Sequence, residues 1–184
     1  MDSKPWVITC TGDREVAFGL CQAWQKRFTI PHHWLVVSGS GSYDLNLYRA
    51  LARLPADAEK IIIMEDDDWY APTWIETCTK ALDEVPLFGQ APDKVFNVRY
   101  PSWVVCDNTE SAALASTAFR RELLPQFMLV LDMLSARFLD GGFWGWAKNA
   151  GVERRWIEST EVVGIKGLPG RAGLGYAHGG YLPH

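Results

Sequence analysis

Three times in its first ninety residues the chain passes from a short apolar run to a segment whose apolar residues recur every three or four positions. Trp6 to Cys10 is the first run and reads as a strand. After the turn Thr11-Gly12-Asp13, a stripe of Val16, Leu20, Trp24 and Phe28 predicts an amphipathic helix with Asp13 as its N-cap. Trp34 to Val37 is a second short strand, closed by the Gly/Ser loop Ser38 to Ser42. Leu47, Leu51 and Leu54 then mark a second helix, which Pro55 helps to end. Ile61 to Met64, four apolar residues without a polar break, has the signature of a strand buried on both faces of a parallel sheet. A third helix, from about Thr73, puts Ile75, Cys78, Leu82 and Val85 on one face. Strand and helix in such alternation imply an α/β fold with a parallel sheet and right-handed crossovers.

The second half is less regular. Val95 to Tyr100 and Trp103 to Cys106 read as strands. Phe127 to Leu139 is apolar nearly all round, which predicts one buried helix. Leu139 to Gly151 predicts a further helix that Asp140 opens and Gly151 closes. Five glycines between Gly164 and Gly175 predict a mobile loop rather than a helix. Arg120 and Arg121 offer a phosphate site, although on a helix such residues more often face solvent.

Composition narrows the picture. A chain of 184 residues, 48% hydrophobic and 22% charged, suffices for one domain with a sizeable core. A net charge of −4 argues against a broad basic surface for nucleic acid. No apolar run approaches the roughly 20 residues of a membrane span. Met1 to Cys10 lacks signal-peptide architecture and enters a strand at once, so a cytoplasmic location is expected, or the host cytoplasm for a viral protein. Cys10, Cys21, Cys78 and Cys106 show no C-x-x-C spacing and suit buried, reduced thiols. Nine tryptophans exceed what one stacking surface needs. Most belong to the core, with Trp69, Trp103, Trp144 or Trp146 as candidates for an aromatic wall.

Chemistry concentrates behind the third strand, where Glu65, Asp66, Asp67 and Asp68 follow Met64 directly. Adjacent carboxylates repel and are not buried uncompensated, so a cation is expected among them. The carboxyl end of a parallel strand is where open α/β sheets bind ligands. Hard oxygens there suit Mg²⁺ or Mn²⁺ shared with phosphates. Taken alone, the run reads equally well as a solvated acidic turn before the helix that Pro72 starts.

With its strand before and the aromatic pair Trp69-Tyr70 after, the acid run resembles the D-x-D metal motif of GT-A glycosyltransferases, in particular the large family 2. Ile8 to Arg14 is similar to that family's first strand and turn, and Ala118 to Leu124 resembles its Phe-Arg-Arg-x-Leu segment, which opens a helix. Leu139 to Gly151 is similar to its acid-x-x-aromatic-Trp-x-Arg/Lys motif, with Asp140, Phe143, Trp144 and Lys148 in register. The chain departs from the pattern twice. Ser38, Gly39 and Ser40 stand where most members carry paired acids, one of which reads the base, so no uracil preference follows. Leu139 replaces the acid that usually precedes the Asp.

The resemblance implies a compact, single GT-A domain over residues 1–184, with a mixed, mostly parallel sheet flanked by helices. Residues 1–92 would form the nucleotide-sugar half and 93–184 the acceptor half. It implies an inverting, Mn²⁺- or Mg²⁺-dependent transfer of a sugar from a nucleotide-diphosphate donor to an acceptor hydroxyl. Asp140 would be the general base, and Asp67 and Asp68 would hold the metal with the late His178. Thr9, Thr11, Arg14, Ser38, Glu65, Asp66, Lys166 and Arg171 would line the donor, Lys166 and Arg171 closing over the diphosphate. The acceptor stays open between a protein, a small molecule and a hydroxylated nucleic-acid base, the negative net charge weighing against the last. Two other classes remain. One is a nucleotidyltransferase on a related fold, for which Thr11-Gly12-Asp13-Arg14 is a poor signature. The other is a non-catalytic glycan- or nucleotide-binding domain.

Overall fold

The computed structural model describes residues 4–12, 14–39, 41–134 and 136–168. In chain order the elements are β1 (Trp6–Thr11), α1 (Glu15–Gln25), β2 (His33–Ser38), α2 (Tyr43–Ala52), β3 (Lys60–Ile63), β4 (Trp69–Tyr70), α3 (Trp74–Glu84), β5 (Leu87–Gln90), β6 (Lys94–Asn97), β7 (Ser102–Val105), β8 (Thr117–Arg120), α4 (Leu124–Met133), α5 (Ala136–Asn149), β9 (Arg154–Ile157) and β10 (Val162–Lys166). The main sheet has the order β2-β1-β3-β8-β5-β9. β1 pairs in parallel with both β2 and β3, and β8 alone runs against its neighbours. The sheet is therefore mixed and mostly parallel, as expected. A smaller sheet, β4-β10-β6-β7, stands beside it.

Alternation along the buried strands builds two cores. Ile8, Ile61 and Ile63 join Leu47 and Leu51 of α2, Phe127 of α4 and Phe143 of α5 in one cluster. Val7, Ile62 and Met64 point the other way, onto Trp74, Ile75, Cys78 and Leu82 of α3. Burial on both faces explains why Ile61 to Met64 shows no polar break. Cys10, Cys21 and Cys78 are buried and Cys106 is half-buried, with no disulfide among them.

Several expectations change. The inward face of α1 consists of Ala17 and Cys21, whereas Val16 is 49% exposed, Leu20 is exposed, and Trp24 and Phe28 are half-buried. Cys21 interacts with the Thr9 hydroxyl of β1, and Trp24 packs partly against the second core. The N-cap position of α1 is Arg14, not Asp13, and makes no side-chain cap; Asp13 lies outside the described residues. The apolar stretch from Phe127 is two helices, since α4 ends at Met133 and α5 begins at Ala136, with Leu129 and Met133 facing solvent. Asp140 therefore sits inside α5 rather than opening it. Gly151 does close α5. With φ at 69°, it lets Val152 N–H reach Ala147 O at 2.9 Å and its own N–H reach Lys148 O at 3.2 Å. Ala118 to Leu124 does lead into a helix, but its first residues are β8. Gly164 to Lys166 belong to β10 and pair with Val95 to Asn97, so the predicted loop does not begin there. An added Cβ at Gly164 would make only ordinary contacts, 3.4 Å to Val95 Cγ2 and 3.8 Å to Asp68 Oδ1.

Gly89 sets the spacing beneath the site. A Cβ there would lie 2.4 Å from Ala112 Cβ, 2.7 Å from Ser116 O and 2.9 Å from the Trp144 ring. Gly89→Ala is expected to cost about 1–3 kcal/mol or more, as overpacking of a rigid contact does. Urea unfolding of the variant measures it, and a wild-type midpoint would mean that the segment yields freely.

Candidate active site

β3 ends beneath a cavity of about 270 Å³ whose lining includes Glu65, Asp68, Gln90, Asp93, Asp140 and Lys166. Five separate pieces of chain meet there: the acid run after β3, the stretch from β5 into β6, the 106–116 segment, α5 and β10. Two anchors fix their relation. Asp68 Oδ1 accepts the Ile165 N–H at 2.9 Å, fastening the acid run to β10. Buried Gln90 donates to Val162 O at 2.8 Å and accepts from Glu161 N–H and Val162 N–H at 2.7 and 2.8 Å, fastening β5 to the same strand. The Tyr70 hydroxyl adds a third tie, accepting the Glu65 N–H at 2.8 Å and donating to Ala115 O at 3.2 Å.

The four acids divide into two groups. Asp66 is fully buried and turns away from the cavity; Oδ2 accepts from Thr11 Oγ1 at 2.7 Å and Oδ1 from the Arg14 guanidinium. Both oxygens are thereby engaged, and the donor contact expected of Asp66 is not carried further. Glu65, Asp67 and Asp68 each present a carboxylate oxygen, all within 4.8 Å of one another. Glu65, read from sequence as a donor contact, thus joins Asp67 and Asp68 as a third possible ligand. Arg14 supplies the expected cation, reaching Asp67 Oδ2 at 2.6 Å as well as Asp66. Lys166 adds a second, its charge acting on Glu65 and Asp68.

These cations do not fully compensate the acids. Burial and the charges of Asp68 and Asp67 push Glu65 up to about 8, while burial and Asp67 push Asp68 up to about 7. Asp67 Oδ1 is buried without a hydrogen-bond partner. An orphaned hard oxygen among three converging carboxylates fits Mg²⁺ or Mn²⁺, and Glu65, Asp67 and Asp68 are the residues that would hold it. Asp93 is also raised, to about 6, by burial and by the charge of Asp140. All three groups bind protons more tightly folded than unfolded. Their stabilising contribution is complete below the unfolded carboxylate values near about 4 and is lost as pH rises through about 6 to 8. The melting temperature of the metal-free protein should therefore fall from pH 5 to pH 9. Saturating Mn²⁺ should counter that fall, since it binds the deprotonated acids. Scanning calorimetry across that range tests this, and a metal-free Tm rising toward pH 9 would contradict it.

The remaining expected residues scatter. Thr9 is fully buried, its hydroxyl accepting from Trp34 Nε1 at 3.0 Å, so it supports the sheet instead of meeting a ligand. Thr11 and Ser38 are register partners at the ends of β1 and β2, with Ser38 exposed. Arg171 and His178 lie outside the described residues. Arg120 and Arg121 are committed at the far end of β3, to Leu82 O and Pro55 O, both at 2.6 Å. None of the four candidate tryptophans lines the cavity: Trp144 is core, Trp69 and Trp146 are half-buried, and Trp103 stands 63% exposed on β7. Asp140 does line it. Its Oδ1 accepts the Gly141 N–H at 2.7 Å, and burial raises its pKa. Sequence reasoning missed Asp93 and Gln90, because isolated polar residues beside a strand carry no spacing signal.

The sequence matches no protein-family model and no curated protein. Its fold has counterparts among solved structures. TarS 1-349 from S. aureus, in complex with UDP-GlcNAc, aligns with a TM-score of 0.62 at 11% identity over 94% of this chain and 61% of that one. The chain thus spans about three fifths of that fragment. A197 from STIV aligns at TM-score 0.54 and 10% identity, covering 85% of this chain and 83% of its own. The 4-diphosphocytidyl-2C-methyl-D-erythritol synthase of Anaerococcus prevotii gives 0.52 at 9% identity, over 86% and 90%. Shared here is the fold, the GT-A type found in nucleotide-sugar transferases.

Proposed function

We propose that the chain is a metal-dependent glycosyltransferase that moves a sugar from a nucleotide-diphosphate donor to an acceptor hydroxyl, with inversion. The observation that carries this reading is the convergence of Glu65, Asp67 and Asp68 beside Lys166, on a cavity that Asp140 also lines. Glu65, Asp67 and Asp68 would hold a divalent ion there, which would supply positive charge to the departing diphosphate. Lys166 offers its ammonium to the same oxygens, and Arg14 keeps the neighbouring Asp66 compensated. Asp140 accepts the proton of the attacking hydroxyl, and its raised pKa makes it a stronger base than an ordinary aspartate. On this reading the donor rests mainly on residues 1–92 and the acceptor on 93–184, with Lys166 crossing back to the donor side. That TarS, alike in fold, is solved with UDP-GlcNAc supports a nucleotide sugar as donor.

The A. prevotii synthase, alike in fold as well, keeps a nucleotidyltransferase as the second reading. The two reactions break different bonds. Glycosyl transfer releases a nucleoside diphosphate from a nucleotide sugar, whereas nucleotidyl transfer releases pyrophosphate from a nucleoside triphosphate. ³¹P NMR of the protein with Mn²⁺ and panels of both substrate types separates them. Diphosphate release supports the proposal, and pyrophosphate release alone replaces it with the second reading.

A further inference from the structure

Asp93 is bound on every side by one stretch of chain. Its Oδ2 accepts from Asn108 Nδ2 at 2.6 Å, and its Oδ1 from Ala113 N–H at 3.1 Å and Ser116 Oγ at 3.3 Å. Its backbone N–H donates to Asn108 Oδ1 at 3.0 Å and its carbonyl accepts the Cys106 N–H at 2.9 Å. Asn108 in turn donates to Ser111 O at 2.6 Å. Residues 106–116 have no regular structure beyond a 3₁₀ turn at Leu114–Ser116, yet Cys106 and Ala113 to Ser116 form a wall of the cavity. A segment of that kind keeps one shape only where its polar groups are tied down, and Asp93 makes most of those ties.

Asp93 also faces the cavity itself, together with Asp140. We propose that Asp93 is a positioning residue of the acceptor site, holding residues 106–116 as the wall facing the acid run and standing as a second carboxylate beside Asp140. This rests on the glycosyltransferase reading for the word acceptor, but not for the geometry. The charge of Asp140 adds to burial in raising Asp93, whereas burial alone raises Asp140. The other titratable groups lining the cavity are Glu65 and Asp68 after β3, Lys94 on β6, Cys106 after β7 and Lys166 on β10. Lys94 is directed to Glu158 O at 3.0 Å and to Thr160, which leaves the Asp93–Asp140 pair without a neutralising contact from that side.

Three variants test this: Asp93→Asn, Asp140→Asn, and the exchanged pair Asp93→Asn with Asn108→Asp. The exchange keeps a carboxylate facing a carboxamide while moving the negative charge to position 108. Hydrogen exchange across 106–116 should quicken at least about tenfold in Asp93→Asn and return most of the way in the exchanged pair. ¹³C-carboxyl NMR of Asp140→Asn should show Asp93 titrating lower than in the wild type, an effect that a purely structural tie would not produce. In Asp93→Asn and the exchanged pair, Mn²⁺-dependent binding of nucleoside diphosphates (UDP, GDP, ADP and CDP) should stay within about twofold of wild type, because the acid run is untouched. Wild-type failure to bind any of the four would sink the proposed function while leaving both Asp93 readouts valid. Unchanged exchange in Asp93→Asn, or an unmoved Asp93 titration in Asp140→Asn, overturns the inference. Should Asp93→Asn not fold, the exchanged pair decides: protected exchange across 106–116 supports it, and unprotected exchange overturns it.

Discussion

Asp67→Asn is expected to weaken Mn²⁺-dependent binding of a nucleoside diphosphate at least about a hundredfold and to leave the fold standing. Substitutions one layer behind metal ligands typically cost 10- to 100-fold in metal affinity, so removing a direct ligand should cost no less. The residue suits the test because it is the least entangled of the three. Asp68 also holds the Ile165 amide, and Glu65 follows directly on the fully buried end of β3. Asp67 contributes an ion pair to Arg14, but its charge also raises Glu65 and Asp68. Losing the pair and relieving the repulsion offset each other, so the apo melting temperature should change little. Calorimetric titration with UDP, with and without Mn²⁺, gives the answer. Undiminished metal-dependent binding in the variant would make the acid run a solvated turn.

Asp140→Asn should reduce transfer at least about a hundredfold with donor affinity unchanged, since a general base contributes roughly 10²–10⁴-fold to rate. The position of Asp140 within α5 sharpens the comparison. Aspartate and asparagine have similar helix propensities, and the Asn Oδ1 can still accept the Gly141 N–H. The change therefore removes basicity and a partly buried charge, with little else. Initial rates and donor KM, measured side by side, test it. Near wild-type turnover would leave Asp140 as a structural residue and the base elsewhere.

Much of the first half of the chain was legible because one-dimensional patterns encode it. Ile61 to Met64 betrays a strand covered on both faces, and an acid run directly behind it can only fall at that strand's end. The pairing of Arg14 with Asp66 and Asp67 was foreseen only as a cation of unknown identity, because residues more than fifty positions apart share no local signal. Residue type could not divide the acids either. Asp66 turns inward because Thr11 and Arg14 wait there, and neither hydrogen bond has a sequence signature. Helix α1 misled because its apolar stripe is real but half-solvated, with Ala17 and Cys21 fully buried and Trp24 only partly so. The break between α4 and α5 lacks a proline. Across it Leu134 packs against Gly142, where an added Cβ would lie 2.4 Å from Leu134 Cδ1. Gln90, Asp93 and Asn108 are single polar residues whose meaning comes entirely from partners brought close by the fold.

The claim that the acid-lined cavity takes a nucleotide sugar together with a divalent ion is tested most directly by melting the wild-type protein against nucleotide sugars, with Mn²⁺ and with EDTA. A ligand that binds only the native state raises the melting temperature, by about 2.7 kcal/mol of added stability at a hundred times its dissociation constant. At least one nucleotide sugar should raise Tm in Mn²⁺ and fail to do so in EDTA. The same shift in both conditions, or none with any nucleotide sugar, would contradict the claim.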